Sequence, residues 1–211
     1  MRKKRIVNVI VAMLVVLGIS STSLKVQAQE YPDVSPQSWY YENVQYVTNK
    51  GIMTGFATGY FHPMYNLGRG QAAAVFYRLA GEPKQEFHQY FPDVPYGAYF
   101  GRGVIWAYEI GLMTGYKNGN FGPEDPITRE QLATVLYRYA KIQGYNVTAD
   151  GDLSPYPDAS GVAPFSLEGM KFAVKYGLIS GDGGKLNPRG NVNRAIAATI
   201  FRRFDENILS K

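Results

Sequence analysis

An aromatic-Pro-Asp motif occurs three times in this chain and sets its internal period. The copies are Tyr31-Pro32-Asp33, Phe91-Pro92-Asp93 and Tyr156-Pro157-Asp158, so their aspartates are 60 and 65 positions apart. The same order of features follows each copy: a short apolar stretch, a Gly-x-x-x-Gly turn and a second stretch that begins at an arginine. Such a period predicts three copies of one structural unit, and therefore a function built on equivalent surfaces.

Both stretches of each repeat have the pattern of a short helix. In repeat 2, Val104 and Tyr108 form an i, i+4 pair, and Gly111 ends the stretch as a left-handed cap. The second stretch begins with Thr128 and Gln131, which are spaced as a capping box. Neither helix is long enough to be stable alone, so we expect the repeats to pack on one another. The sequence predicts an all-α fold of three helix-loop-helix repeats, with six main helices in a pseudo-threefold arrangement.

The first 28 residues have the pattern of a secretory signal peptide. Four basic residues at 2–5 precede an apolar stretch over 6–19, and Val26-Gln27-Ala28 resembles a signal peptidase site. We expect cleavage after Ala28. The alternative is an uncleaved membrane anchor, because the apolar stretch is near the lower length limit for spanning. The predicted domain boundaries are 1–28 for the signal peptide, 29–86 for repeat 1, 87–149 for repeat 2 and 150–211 for repeat 3.

The net charge of the chain changes when this segment is set aside. The whole sequence has 22 Lys and Arg against 17 Asp and Glu, a formal charge of +5. The first 28 residues hold five of the basic residues and no acidic one, which leaves 17 against 17. The excess of basic residues in the whole sequence therefore does not indicate a nucleic-acid partner. We also expect no membrane partner after signal cleavage. Because the sequence has no cysteine, a secreted chain of this kind is held together by packing alone.

An arginine stands just inside each second helix, at Arg69, Arg129 and Arg194. A cation in the first helical turn opposes the helix dipole and costs up to about 1 kcal/mol, so its presence in every copy needs a reason. One interpretation is an ion pair with the motif aspartate of a neighbouring repeat. The other is an anion site, in which the guanidinium and the free N–H groups of the helix start converge on a carboxylate or phosphate. The two are compatible, because an arginine paired with Asp keeps donors for a ligand.

Taken together, these motifs resemble the S-layer homology domain. The resemblance rests on the aromatic-Pro-Asp start, Gly-Leu-Met-Thr-Gly-Tyr at 111–116 with Asn-Gly-Asn-Phe-Gly-Pro at 118–123, and Ile-Thr-Arg-Glu-Gln-Leu at 127–132. It extends over all three repeats and implies a pseudo-trimer with ligand grooves between neighbouring repeats. It also implies a module of secreted or surface bacterial proteins, located at the cell wall or S-layer. Such modules bind secondary cell-wall polysaccharide non-covalently, often one that bears acidic pyruvate ketals.

The resemblance also assigns the binding arginine. The family motif Thr-Arg-Ala-Glu falls on Arg129, preceded by Thr128, with the acid one position early at Glu130. Repeat 1 has Gly-Arg-Gly-Gln at 68–71, and repeat 3 has Asn-Arg-Ala-Ile at 193–196. Both keep the arginine and lose the acid.

The aromatic residue six positions after the motif aspartate differs between the repeats. It is Trp39 in repeat 1 and Tyr99 in repeat 2, whereas repeat 3 has Pro164 there and Phe165 one position later. The rings of Trp39 and Tyr99 suit stacking on a pyranose face, and the alternative is core packing under the loops. These departures predict that repeats 1 and 2 line the working grooves and that repeat 3 is structural. We therefore expect loss of Arg129 to weaken binding more than loss of the repeat 3 arginine.

The ligand-binding set predicted for a sugar acid combines residues of all three repeats. The arginines supply a fork for a carboxylate, and the motif aspartates accept hydrogen bonds from sugar hydroxyls. Two glycines let a ligand approach the backbone closely. The complete set is Arg69, Arg129, Arg194, Asp33, Asp93, Asp158, Trp39, Tyr99, Gly55, Gly115 and Thr128.

No sequence motif indicates catalysis, a cofactor or a metal ion. The chain has two histidines, His62 and His88, and it lacks the motifs of serine hydrolases, zinc proteases and phosphate-binding loops. The loop at 115–123 lacks the alternating carboxylates of a calcium loop. A wall-glycan hydrolase with paired carboxylates is kept as an alternative, because any two acids can meet in a fold.

A structural surface-layer or adhesion subunit that recruits a protein partner is the third class of function. Modules like the S-layer homology domain usually accompany a cargo domain, and the repeats account for essentially all of the sequence after residue 28. We therefore expect a free-standing wall binder, an adaptor for a surface protein, or one piece of a complex.

Overall fold

The computed structural model describes residues 30–181 and 183–211. The predicted signal peptide lies outside the described residues. Six α-helices confirm the predicted all-α fold, and within the described ranges the only β-structure is three isolated bridges. None of the described helices is long and apolar enough to cross a membrane. The helices are α1 (Tyr41–Asn49), α2 (Arg69–Leu79), α3 (Gly101–Glu109), α4 (Arg129–Ile142), α5 (Leu167–Lys175) and α6 (Arg194–Phe204).

The helix ends follow the local sequence signals. Glycines with φ between 66° and 71° follow the first helix of every repeat, at Gly51, Gly111 and Gly177, where a side chain would be strained. At the start of α4, the Gln131 amide donates to the Thr128 hydroxyl at 3.3 Å, and the Gln131 side chain accepts from the Thr128 amide at 3.0 Å. The predicted capping box is therefore present.

Each second helix packs on the first helix of the next repeat. Helix α2 contacts α3, α4 contacts α5, and α6 contacts α1. The last pairing closes the chain on itself, so the three repeats form a ring rather than an open array. At this closing contact, the Tyr46 hydroxyl donates to the Asp205 carboxylate at 2.7 Å, and Lys50 forms an ion pair with the same group. The predicted pseudo-threefold arrangement follows from these pairings.

Three buried residues meet where the repeats converge. The Leu67 amide donates to the Val192 carbonyl at 2.8 Å, the Val192 amide to the Ile127 carbonyl at 3.0 Å, and the Ile127 amide to the Leu67 carbonyl at 2.9 Å. All three side chains are fully buried. This cyclic set of hydrogen bonds, one from each repeat, places the starts of the second helices close together around a common centre.

Repeat 3 departs from the other two before its first helix. Two 3₁₀ turns, Ala159–Gly161 and Pro164–Ser166, precede α5, and a π-helical turn, Asp205–Leu209, follows α6. The loop aromatics Phe61 and Phe121 are fully buried in repeats 1 and 2, and Leu186 is buried at the equivalent position of repeat 3. The departures noted in the sequence are thus accommodated within the same packing scheme.

Candidate functional site

The motif arginines lie buried between repeats. Arg194 is 4% exposed, and its Nε and Nη2 donate to the carbonyls of Phe61 and Thr54, both at 2.7 Å. Its guanidinium carbon lies 4.4 Å from the ring centre of Phe61 and 4.8 Å from that of Phe56. A cation of repeat 3 is therefore held by the backbone and the aromatic rings of repeat 1.

Arg69 and Arg129 occupy equivalent positions in the other two clefts. Arg69 donates to the Phe121 carbonyl at 3.0 Å and the Thr114 carbonyl at 2.7 Å, while Arg129 Nε donates to the Leu186 carbonyl at 2.8 Å. Each arginine thus contacts the loop of the following repeat in the ring. These hydrogen bonds go to main-chain oxygens, where one sequence interpretation had expected aspartate carboxylates.

The motif aspartates stabilise the loops that hold the arginines. The Asp33 carboxylate accepts from the amides of Phe61 and His62 at 2.9 and 2.6 Å. Asp93 and Asp158 make the same pair of contacts in repeats 2 and 3, at 2.7 to 2.9 Å. Burial alone raises the pKa of Asp158, but hydrogen bonds from the two loop amides outweigh it, and the net pKa is lowered. Each aspartate therefore fixes the carbonyl to which a neighbouring arginine donates.

The first amide of each second helix is not available to an anion. The amide of Arg69 donates to the Asp125 carbonyl, that of Arg129 to the Gly190 carbonyl, and that of Arg194 to the Tyr65 carbonyl, each at 2.9 Å. These three amides are therefore not among the free N–H groups that the anion-site interpretation expected at the helix starts, whereas the guanidinium groups remain part of that predicted site.

Three grooves surround the buried arginines. Groove 1 has a volume of about 410 Å³, groove 2 about 300 Å³ and groove 3 about 370 Å³. Each is formed by the Gly-x-x-x-Gly turn and second helix of one repeat, an aromatic ring of the next repeat and the motif arginine of the previous one. Groove 1 combines the turn at 53–55 with Tyr99 and Arg194. Groove 2 combines the turn at 113–115 with Phe165 and Arg69. Groove 3 combines the turn at 179–181 with Trp39 and Arg129.

The groove aromatics present their rings to solvent. Tyr99 is 65% exposed, Trp39 is 63% exposed and Phe165 is 57% exposed. Phe165 takes the place of the aromatic that the register of repeat 3 lacked, because the 3₁₀ turn Pro164–Ser166 carries it into groove 2. Every groove contains residues of all three repeats. The predicted division into two functional repeats and one structural repeat therefore does not say which groove binds ligand best.

A second arginine lines each groove and was missed in the sequence. Arg78, Arg138 and Arg203 each stand nine positions after the motif arginine of their own helix and line grooves 1, 2 and 3. Their repetition at the same spacing was visible in the sequence. Because no packing role for a cation at this position is evident from the sequence, the recurrence could have identified these arginines as groove residues.

The predicted glycines and threonine have structural roles that the sequence did not reveal. A Cβ atom on Gly55 would lie 2.2 Å from the Tyr31 ring, and one on Gly115 would lie 2.4 Å from the Phe91 ring. Both glycines line grooves, and both are also needed for the packing of the motif aromatic. Thr128 caps α4 and is absent from the lining of the three grooves.

The two arginines of groove 1 repel each other. Burial lowers the pKa of Arg194 to about 10, and the nearby charge of Arg78 adds to the lowering. Both arginines are cationic at neutral pH, so the groove holds two like charges in a partly desolvated space. An anion between them would reduce this repulsion.

Comparison with known proteins identifies the repeats. The sequence pattern of the S-layer homology domain matches residues 30–73, 90–133 and 155–197. The surface-layer 125 kDa protein of Lysinibacillus sphaericus is 30% identical over 93% of this chain and 16% of its own length. The S-layer protein EA1 of Bacillus anthracis is 26% identical over 96% of this chain and 23% of its own length.

A third relative has an enzyme's name. The endoglucanase of Bacillus sp. strain KSM-635 is 26% identical over 93% of this chain and 21% of its own length. The chain therefore spans about a fifth of the length of these relatives. In this endoglucanase about four fifths of the protein lies outside the similarity, so its activity is not carried over to the repeats described here.

Proposed function

Because the chain belongs to the S-layer homology domain family, we propose that its grooves hold it on the bacterial cell wall by binding an acidic secondary cell-wall polysaccharide. Domains of this family are cell-surface anchoring modules, and the relatives named above include S-layer proteins. The proposal specifies the ligand and the residues that bind it. Export through the signal peptide at 1–28 is part of the same proposal.

The observation that carries the proposal is the repeated pairing of two arginines with one exposed ring. In groove 1 these are Arg194, Arg78 and Tyr99. A guanidinium donates two parallel hydrogen bonds to a carboxylate, which suits the acid group of a pyruvate ketal or another sugar acid. The C–H face of a pyranose stacks on an aromatic ring. A volume of about 410 Å³ is within the range of small-ligand sites.

The two arginines of a groove have different roles in this proposal. The buried one is fixed by two carbonyl hydrogen bonds in grooves 1 and 2, so it presents its remaining donors in a preset orientation. The helix arginine, such as Arg78, is only half-buried and can adjust to the ligand. A carboxylate bound between Arg78 and Arg194 also relieves their mutual repulsion.

The test is co-sedimentation of the purified protein with native cell walls of the producing bacterium. We expect the protein to pellet with native walls and to stay in solution with walls stripped of acid-labile polysaccharide. Equal binding to stripped walls would refute the polysaccharide proposal. Release of soluble sugars from the walls by the protein alone would instead favour the hydrolase alternative.

Variants separate the groove from general surface charge. Arg78→Gln is expected to weaken wall binding about tenfold, the effect of losing one partly buried charged hydrogen bond. Arg202→Gln removes an equal charge from α6, where Arg202 pairs with Glu206 at 2.9 Å outside the grooves. Equal losses in the two variants would mean that binding depends on net charge and not on groove 1.

A further inference from the structure

A larger cavity adjoins groove 1 on the side of the connection between repeats 1 and 2. Its volume is about 620 Å³, and it is lined by the connection, the start of α3 and the outer side of α2. Ala74, Arg78 and Tyr99 line both this cavity and groove 1. We call it the linker cavity. The shared residues make groove 1 and the linker cavity neighbouring compartments with one common rim.

The linker cavity carries an excess of positive charge. Arg78, Lys84 and Arg102 line it, against one acidic residue, Glu82. Lys84 and Arg102 are exposed, and within the described part of the chain neither is drawn into an ion pair with an acid. These cations are therefore placed to receive an anion from outside the chain.

The cavity also contains an aromatic surface beside the charges. Tyr96 is 83% exposed, and the Phe87 ring packs edge-on against it with ring centres 5.4 Å apart. Tyr99, on the common rim, is 65% exposed. An exposed ring next to a cation is the same pairing that characterises the three grooves, so the cavity suits a sugar that carries a negative charge.

The equivalent cavity between repeats 2 and 3 has a different charge. It measures about 430 Å³ and shares Arg138 and Phe165 with groove 2. The glycine contacts show which positions correspond: Gly103 of α3 packs on Ala74 of α2, and Gly169 of α5 packs on Thr134 of α4. Arg102 and Glu168 each stand just before these glycines and are therefore equivalent. An acid thus replaces a base at the matching position. The linker cavity beside groove 1 is consequently the better anion receptor of the two.

We propose that the acidic wall polymer bound in groove 1 crosses the rim formed by Tyr99 and Arg78 and places a second anionic group between Lys84 and Arg102. This inference rests on the proposed function and extends it to a second subsite. Two linked subsites favour a chain of several sugar units over a single unit, because the second contact is made intramolecularly. Groove 1 is then the principal binding groove of the ring.

The experiment compares long and short ligands on one protein. The probes are the acidic polysaccharide released from walls of the producing bacterium and its single repeating unit, both titrated calorimetrically into the purified protein. The double variant Lys84→Gln/Arg102→Gln is expected to lose roughly three- to tenfold in affinity for the long chains, the sum of two exposed charge pairs. Its affinity for the single unit is expected to stay as in the wild type. Both replaced side chains are exposed, so thermal unfolding should be unchanged.

Matched controls make the outcome decisive. Lys141→Gln changes a cation of the equivalent cavity beside groove 2 and is expected to leave both affinities unchanged. An unchanged affinity of the double variant for long chains overturns the inference while leaving the proposed function intact. An equal loss for both probes also overturns it, because the residues would then serve groove 1 itself. If the wild type binds neither probe, the proposed function fails together with the inference.

Discussion

Arg194 in repeat 3 donates a hydrogen bond from Nε to the carbonyl of Phe61 in repeat 1, at 2.7 Å and across 133 positions of sequence. The same guanidinium lies over the Phe61 ring. The residue that supplies groove 1 with its buried charge is thus also a tie between the last and first repeats. Binding and ring closure therefore depend on the same side chain.

Replacing this arginine should destabilise the fold as well as the site. Arg194→Ala leaves the carbonyls of Phe61 and Thr54 without their donors, and the free energy of unfolding is expected to fall by about 2 to 3 kcal/mol. Urea unfolding followed by tryptophan fluorescence measures this loss. Arg189→Ala, at an exposed position, is the control and should change stability by less than about 0.5 kcal/mol. Similar midpoints for the two variants would show that the Arg194 contacts contribute nothing to closure.

The centre of the ring is the second point at which all repeats depend on one another. Leu67→Ala removes a fully buried side chain beside the three cyclic hydrogen bonds, and we expect a loss of about 2 to 5 kcal/mol. Because the three repeats share this centre, urea unfolding should keep a single transition at a lower midpoint. Ile142→Ala, whose side chain is 44% exposed, serves as the control with little change expected. A biphasic curve for Leu67→Ala would instead mean that the repeats unfold independently.

The elements of the fold followed from local signals in the sequence. The glycine caps at Gly51, Gly111 and Gly177 and the capping box at Thr128 depend on residues within one or two turns of each other, so spacing alone located them. The family resemblance, now confirmed by the matches in all three repeats, correctly implied that the repeats pack as a ring.

The composition of the grooves did not follow from the sequence, because each groove joins three repeats. Around the ring, a repeat contributes its arginine to the groove of the following repeat and its aromatic to the groove of the preceding one, so Trp39 meets Arg129 and Tyr99 meets Arg194. Ranking the repeats one at a time separated residues that the ring brings together. The motif aspartates were expected to face ligand, whereas their carboxylates bind loop amides.

Tyr139 should make part of the stability sensitive to alkaline pH. It is 2% exposed, and burial raises its pKa from 10.0 to about 12. The unfolded chain ionises this tyrosine above pH 10 while the folded chain keeps it neutral. The contribution of the neutral Tyr139 side chain to the free energy of unfolding, about 2 kcal/mol, is therefore fully present below pH 10 and is lost as the pH rises through 12.

Urea unfolding at pH 8, 10 and 11 tests this expectation. Tyr139→Phe should flatten the decline of stability above pH 10, since phenylalanine has no proton to lose. Tyr96→Phe is the control, because the Tyr96 side chain is 83% exposed. A decline equally steep in Tyr139→Phe and the wild type would assign the alkaline sensitivity to other groups.

Glu130 should control the aromatic wall of groove 2 from a distance. It is 6% exposed, and its Oε2 accepts hydrogen bonds from the Ala163 amide at 2.9 Å and the Ser166 hydroxyl at 2.8 Å. These contacts fix both ends of the short turn that holds Phe165 in the groove. Glu130→Ala is expected to speed hydrogen exchange of the Ala163 amide at least tenfold, since a charged hydrogen bond of about 1.5 to 3 kcal/mol is lost. Glu168→Ala, at an exposed position on α5, should leave that exchange unchanged. Because Phe165 stacks on sugar in the proposed function, Glu130→Ala should also weaken wall binding. If the variant shows fast exchange of this amide but binds walls as tightly as the wild type, groove 2 does not contribute to wall binding.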